Sequence, residues 1–275
     1  MSKLTVERVL NKSGRIATSP FRIMPSFIII GAKKCGTTSL FRYLIEHPNI
    51  GAPSTKEISY FDLNFAKGNI WYRSFFPMSL PNLESQTLIT GEASASYICH
   101  PKAPKRIAKV LPHVKLIALL RDPVDRAYSH YHHTKRIGRE NLSFEEAIAQ
   151  EETRVRQIES GGRRPGNNQP QAYNYTYLSS GLYAEQLQNW LEQFSKQQLL
   201  VLNSEDFFRN PPSSFKQVIN FLKLPSWSLK NYRKHNFNQY PEPLKESTRE
   251  SLTEYFRPHN HKLFELLGTD FGWSH

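Results

Sequence analysis

The chain is poor in the devices that staple or anchor a protein from outside. Only two cysteines occur in 275 residues, too few for a disulfide-stapled scaffold. One of them, Cys35, lies in a tight glycine-containing turn that a disulfide would distort, so a reducing compartment is expected. No run of 18 or more apolar residues appears, which argues against a membrane-spanning helix. Residues 1–20 are basic without a continuous apolar core, and no secretion signal or lipidation motif is found. Metal-ligand spacing is missing as well. His130 and His133 would share a helix face with His132 beside them, but no cysteine or second cluster completes a set, so no metal is expected. Acidic residues are the minority, and the formal charge of +12 favours an anionic ligand or partner. Nucleic acid, sulfonucleotides and acidic glycans all satisfy that condition.

What is present is concentrated in residues 25–40. Phe27 to Ile30 is a short apolar run fenced by Pro25 and Gly31, and it reads as a buried strand. A turn with two glycines and two lysines follows. Thr37-Thr38-Ser39 then opens a helical pattern (Leu40, Phe41, Leu44, Ile45) that ends near His47-Pro48. Strand, turn and helix N-terminus make an anion seat, because the first backbone N–H groups lack intrahelical partners and the helix dipole adds positive charge. A nucleoside-triphosphate loop carries Lys directly after its last glycine, then Ser or Thr for magnesium. Here Thr37 stands in that place and the lysines lie inside the loop at 33 and 34. The loop can cradle a phosphate or sulfate ester without a metal, with Lys34 on a bridging or terminal oxygen; otherwise it is an ordinary turn with solvated lysines.

Along the rest of the chain, residues 1–24 read as an N-terminal arm and 25–275 as one α/β domain, long enough to bury a substantial core. Glu57 follows the first strand and helix, so it can share the carboxyl edge of a sheet with the anion loop; the alternative is a surface glutamate paired with Lys56. Thr87 to Thr90 is a strand leading to Glu92, which could serve an acceptor or cap a helix. Pro101 to Leu111 reads as a helix bearing Lys102, Lys105, Lys109 and Arg106, a polyanion track or a solvated face. Lys115 to Leu120 is a strand covered on both faces. It delivers Arg121, and Asp122-Pro123 then starts a helix with Ser129 two turns in. Arg121 suits a phosphate by its planar fork of donors, or pairs with Asp122 or Asp125.

Residues 143–160 form a charged helix with a Ser143/Glu146 capping box. The loop Gly161 to Pro170, with Arg163 and Arg164, has the composition of a lid, and Tyr173, Tyr175 and Tyr177 line or pack a cleft behind it. Gly181 to Phe194 is an amphipathic helix, Leu199 to Leu202 another buried strand, and Ser204-Glu205-Asp206 the cap of a short helix. Pro211 starts a helix through Phe221, a basic loop surrounds Tyr232 to Asn236, and 244–267 reads as two helices. Four strands, each followed by helix or loop, indicate a central parallel sheet flanked by helices, an α/β fold.

The loop Gly31-Ala32-Lys33-Lys34-Cys35-Gly36-Thr37-Thr38 resembles that of sulfotransferases that use 3′-phosphoadenosine-5′-phosphosulfate (PAPS). The segments Lys56 to Asp62, Gly91 to Tyr97, Leu120 to Tyr131, Gly181-Leu182-Tyr183 and Tyr255 to Asn260 are similar to the same family, in the same order. The likeness is greatest to the heparan sulfate sulfotransferases and their bacterial relatives. The resemblance implies a P-loop-like sulfotransferase fold and transfer of a sulfuryl group from PAPS to a hydroxyl or an amine, with no metal. It makes Glu57 the general base and Lys34 the group that stabilises the leaving phosphate. It gives the nucleotide Lys33, Lys34, Cys35, Gly36, Thr37, Thr38 and Ser39, with Tyr183 and the basic-loop pair Arg233 and Lys234. It gives the 3′-phosphate Arg121 and Ser129. The implied partners are a sulfonucleotide and a hydroxyl-bearing acceptor (glycan, lipid or carrier-bound group), with no nucleic acid and no membrane span, in the cytoplasm. The chain departs from the family at Ala93, where many glycan sulfotransferases carry lysine, and it lacks the disulfide hairpin and Lys-Gly-Arg signature of some relatives. The rival readings are a P-loop nucleotide kinase, opposed by the missing lysine after Gly36, and a non-catalytic polyanion-binding module.

Overall fold

The structure is a computed structural model that describes residues 14–79, 88–160, 172–235 and 242–273. The lid reading of Gly161 to Pro170, most of the N-terminal arm and Asn236 lie outside the described residues.

The strands are β1 (Phe27–Gly31), β2 (Ile50–Gly51), β3 (Ile89–Ala93), β4 (Lys115–Leu120) and β5 (Leu199–Asn203). They form one parallel sheet in the order β2-β3-β1-β4-β5. The helices along the chain are α1 (Thr37–Leu44), α2 (Gly68–Arg73), α3 (Ala103–Val110), α4 (Pro123–Arg136), α5 (Phe144–Ala149), α6 (Glu151–Ser160), α7 (Tyr183–Leu191), α8 (Ser204–Arg209), α9 (Pro211–Leu222) and α10 (Glu246–Leu267). The central parallel sheet flanked by helices is the expected fold. Phe27, Ile28, Ile29 and Ile30 are wholly buried, as are Leu116 to Leu120, so the two central strands carry the apolar runs that covering on both faces requires. Gly91 opposite Phe27 is part of the same packing: a Cβ there would stand 2.4 Å from the Phe27 ring.

The topology sets the site. From β1 the chain passes outward to β2, returns to β3, then crosses over β1 to β4. The carboxyl ends of β3, β1 and β4 therefore meet at the point where the strand order reverses, where open parallel sheets bind ligands.

Several expectations are corrected. There are five strands among the described residues, because β2 is only two residues long and leaves no periodic pattern. β5 is an edge strand on which only Leu202 is fully buried, not another buried strand. Asn203 caps α8 by accepting from the Asp206 N–H (3.0 Å), so Ser204 is released for another contact. Residues 143–160 form two helices with Gln150 between them, although the Ser143/Glu146 capping box is present. The tail is one helix of 22 residues with Pro258 inside it. An interior proline costs about 3 kcal/mol. Here Leu252, Phe256, Asn260 and Leu263 are buried on one face, and apolar side chains recover about 1.5–3 kcal/mol each. Packing therefore carries the helix through the proline.

Candidate active site

The loop after β1 is shaped by two residues with left-handed backbones, Lys34 (φ 73°) and Gly36 (φ 96°). Gly36 is required twice over, since a Cβ would also stand 2.9 Å from the Phe208 ring. It leads into α1, whose N-terminus no side chain caps, the arrangement in which a helix start can take an anion. The loop is tied down from behind. Ala32 N–H donates to the Leu119 carbonyl (2.7 Å), and the Ser204 hydroxyl donates to the Cys35 carbonyl (3.0 Å).

Above this loop lies an open cleft of roughly 1030 Å³, at the upper end of the range for single-ligand sites. Its wall carries Lys33, Lys34, Gly36, Thr37 and Thr38 from the loop and α1, and Glu57 from the segment after β2. Arg121 follows the end of β4, Ser129 comes from α4, and Lys234 from the basic loop. The sequence expectations thus converge at these nine positions. Of the other four, Cys35, Ser39 and Tyr183 stand buried behind the wall, and Arg233 is exposed and is not among the lining residues. Cys35 is buried with its Sγ 3.9 Å from the Tyr183 hydroxyl, and that hydroxyl donates to the Arg121 carbonyl (3.0 Å). Ser39 is buried and its hydroxyl accepts from the His235 N–H (2.9 Å), while the Arg233 carbonyl accepts from the Tyr43 hydroxyl (2.8 Å). These contacts brace the wall: Cys35 and Tyr183 join the loop to the end of β4, and Ser39 and Tyr43 pin the basic loop on α1 so that Lys234 faces the cleft.

Glu57 sits at φ 58° with its side chain 45% exposed. It is ion-paired with Lys56, and its Oε2 accepts from the Ala95 N–H (3.2 Å). The surface-pair alternative and the cleft position therefore hold together. Arg121 and Asp125 are 3.6 Å apart, and Asp125 is held more closely by Arg249 (2.8 Å). Arg121 thus touches the expected acidic neighbour without having its sole attention.

The cleft is electropositive and partly desolvated. Burial pushes the Lys33 ammonium down to about 7, aided by the Arg126 and Lys34 charges. Burial likewise takes Lys34 to about 8, with Arg136 and Arg121 contributing. Lys33 Nζ lies 2.8 Å from His130 Nε2. His130 is wholly buried, and burial and then Lys33 hold it well below the usual imidazole range. His133 is on the wall, brought down to about 4 by burial and the two lysines, and is therefore neutral at pH 7.

Of the three tyrosines after residue 172, Tyr173 lines the cleft, whereas Tyr175 and Tyr177 are buried beside α4. Of the α3 cations, Lys102, Lys105 and Lys109 are exposed, but Arg106 turns inward to the Phe61 and Asp62 carbonyls (2.5 and 3.1 Å). Glu92 neither faces the cleft nor caps a helix. It is wholly buried, and burial raises its carboxyl to about 7 although three hydroxyls donate to it. Sequence reasoning missed Arg139 and Phe208 on the wall. Gly138, left-handed at φ 69° just past α4, turns the chain back toward the cleft, and a glycine after a helix is a signal that could have placed Arg139.

Comparison with known proteins gives a consistent result. The family profile described as "Sulfotransferase domain" matches residues 24–262. The membrane-associated sulfotransferase kil1 of Dictyostelium discoideum is 31% identical over 91% of this chain and 67% of its own length. The human bifunctional heparan sulfate N-deacetylase/N-sulfotransferase 3 is 32% identical over 89% of this chain. The chain spans only 30% of that relative's length. Among solved structures, a sulfotransferase from Alicyclobacillus acidocaldarius superposes with a TM-score of 0.75 at 30% identity, over 92% of this chain and all of that one.

Proposed function

The chain belongs to the sulfotransferase domain family, and from that premise we propose that it transfers the sulfuryl group of PAPS to an acceptor hydroxyl, with Glu57 as base and Lys34 at the leaving phosphate. The observation that carries the reading is that one cleft wall holds two separate anion seats and a carboxylate. The first seat is the loop with Lys34, Thr37, Thr38 and the start of α1. The second is Arg121 with Ser129. Two seats on one wall suit a nucleotide phosphorylated at two positions, and Arg121 and Ser129 take the 3′-phosphate. The heparan sulfate N-sulfotransferase among the relatives supports a glycan acceptor, and a mouse heparan sulfate glucosamine 3-O-sulfotransferase, 31% identical over 91% of this chain, supports a hydroxyl on it.

In the reaction, Glu57 takes the proton of the acceptor hydroxyl as its oxygen attacks sulfur. A new oxygen–sulfur bond forms while the bond from sulfur to the bridging phosphate oxygen breaks, and the electron pair leaves with the 5′-phosphate of 3′-phosphoadenosine-5′-phosphate (PAP). Lys34 and the N–H groups opening α1 meet the charge that grows on that oxygen. Lys33 and Lys234 add positive potential.

The testing experiment is calorimetric titration with PAP beside AMP, which lacks the 3′-phosphate. PAP should bind far more tightly, and Arg121→Ala should weaken PAP by about 1.5–3 kcal/mol, the worth of a hydrogen bond to a charged group, while leaving AMP nearly unchanged. Equal affinity for the two nucleotides would remove the 3′-phosphate assignment.

A pH dependence follows from the buried lysines. Free Lys33 and Lys34 titrate at about 7 and about 8, and a bound anion favours their charged forms, raising both values. Affinity for PAP should therefore be fully present below pH 7 and decline as pH rises through about 7 to 8 and beyond. Calorimetry at pH 8 in buffers of different ionisation enthalpy should show proton uptake on binding. Proton release would contradict the arrangement.

A further inference from the structure

Residues 57–61 run along the cleft in an improbable backbone conformation. Glu57 and Ser59 both have left-handed backbones (φ 58° and 51°) although neither is glycine, a state that persists only when its surroundings over-determine it. The surroundings are specific. Glu57 N–H donates to the Ala93 carbonyl (3.0 Å), and Ser59 N–H to the Ser94 hydroxyl (3.1 Å). Tyr60 N–H and Phe61 N–H both donate to the Tyr97 hydroxyl (2.7 and 3.2 Å). Two hydroxyls thus receive three consecutive backbone N–H groups, which they can do only if their own protons point elsewhere. Both point at one group. The Ser94 hydroxyl donates to Glu92 Oε2 (3.0 Å), and the Tyr97 hydroxyl to the same carboxylate (3.3 and 3.4 Å).

We propose that Glu92 is a positioning residue for Glu57: a buried carboxyl whose oxygens, by accepting from the Ser94 and Tyr97 hydroxyls, turn those hydroxyls so that their lone pairs clamp the 57–61 segment and present Glu57 to the cleft. The inference rests on the reading of Glu57 as base. Glu92 is wholly buried, at the end of β3, and is not among the residues that line the cleft. Its third donor separates clamping from mere burial. The Tyr72 hydroxyl makes the shortest of the hydrogen bonds to Glu92 (2.6 Å), yet this hydroxyl has no bond to the 57–61 segment. A carboxylate present only to satisfy its neighbours would depend on Tyr72 at least as much as on the other two.

The experiment compares Ser94→Ala, Tyr97→Phe and Tyr72→Phe in the full chain, measuring sulfuryl-transfer kcat per PAP-binding site, PAP affinity, and hydrogen exchange at the amides of Ser59, Tyr60 and Phe61. Ser94→Ala and Tyr97→Phe should each lower kcat by roughly tenfold to a hundredfold, the cost of misplacing a reacting group by a fraction of an ångström to one ångström. PAP affinity should stay within about twofold, since the affected step lies on the acceptor side. Exchange should rise at Ser59 in the first variant and at Tyr60 and Phe61 in the second. Tyr72→Phe should leave kcat within about twofold and the three amides protected. Glu92→Gln replaces one acceptor oxygen by a donor and should reproduce the double loss. An equal fall of kcat in Tyr72→Phe, or unchanged kcat and exchange in Ser94→Ala and Tyr97→Phe, would overturn the proposal. Unchanged turnover in Glu57→Gln with raised exchange in the clamp variants would overturn the base assignment alone, because exchange reads the clamp without reference to the reaction.

Discussion

Glu57→Gln is expected to lower turnover by about 10²–10⁴-fold, the usual worth of general acid–base catalysis, while PAP binds with unchanged affinity. The carboxylate is on the wall of the cleft and half-exposed, held by the Ala95 N–H and by Lys56. A glutamine keeps the shape and can keep the Ala95 contact through its amide oxygen. It loses the ion pair and the capacity to take a proton. Both anion seats lie on other elements, so the nucleotide has no reason to notice the change. The measurement is PAP affinity by calorimetry beside the transfer rate on an acceptor found by screening. Unchanged turnover would transfer the role of base to another group on the wall. His133 would then be the first to test, being neutral at pH 7 because burial and the two lysines hold it at about 4.

The parts of this site that were legible in the sequence are those fixed by local rules. Phe27 to Ile30 and Leu116 to Leu120 are apolar runs bounded by turn residues, and both are central strands. Gly36 before Thr37 announces a strand-to-helix turn whatever packs around it. Asp122-Pro123 announces α4, and the Asp122 carboxylate does accept from the Val124 and Asp125 N–H groups. The resemblance added what spacing could not, namely that Glu57 and Arg121, 64 positions apart, face one cleft.

What stayed illegible depends on tertiary contact. Two residues of β2 carry no period. Pro258 signals a break that only the buried face of α10 overrides. Cys35, Ser39 and Tyr183 are polar residues in or beside a binding motif, and nothing local distinguishes a side chain that faces a ligand from one that braces the loop behind it. Glu92 is the clearest case. The sequence offers it as an aid to an acceptor or as a helix cap, and only the convergence of Tyr72, Ser94 and Tyr97 reveals a buried hub.

Lys34→Ala should damage binding and chemistry together, and chemistry more. Lys34 faces the cleft from a left-handed position in the loop. At neutral pH it is mostly charged, since burial and the Arg136 and Arg121 charges bring it down only to about 8. An ammonium beside the bridging oxygen meets modest charge in the ground state and a growing charge as the oxygen–sulfur bond breaks. Its contribution is therefore largest in the transition state. Loss of one such donor typically costs about 10²–10³-fold in turnover. PAP already carries the full charge on that phosphate, so its affinity should also fall, by about 1.5–3 kcal/mol. The contrast with Glu57→Gln is diagnostic, because there affinity survives and here it does not. A second signature comes from Lys33, which the Lys34 charge helps to depress. Removing that charge should raise Lys33 above about 7, so that fewer protons are taken up when PAP binds near neutral pH. Rate, affinity and proton uptake measured on one variant thus test the same lysine three ways. Full activity in Lys34→Ala would reduce the loop to a passive cradle and leave the leaving group to the backbone N–H groups of α1.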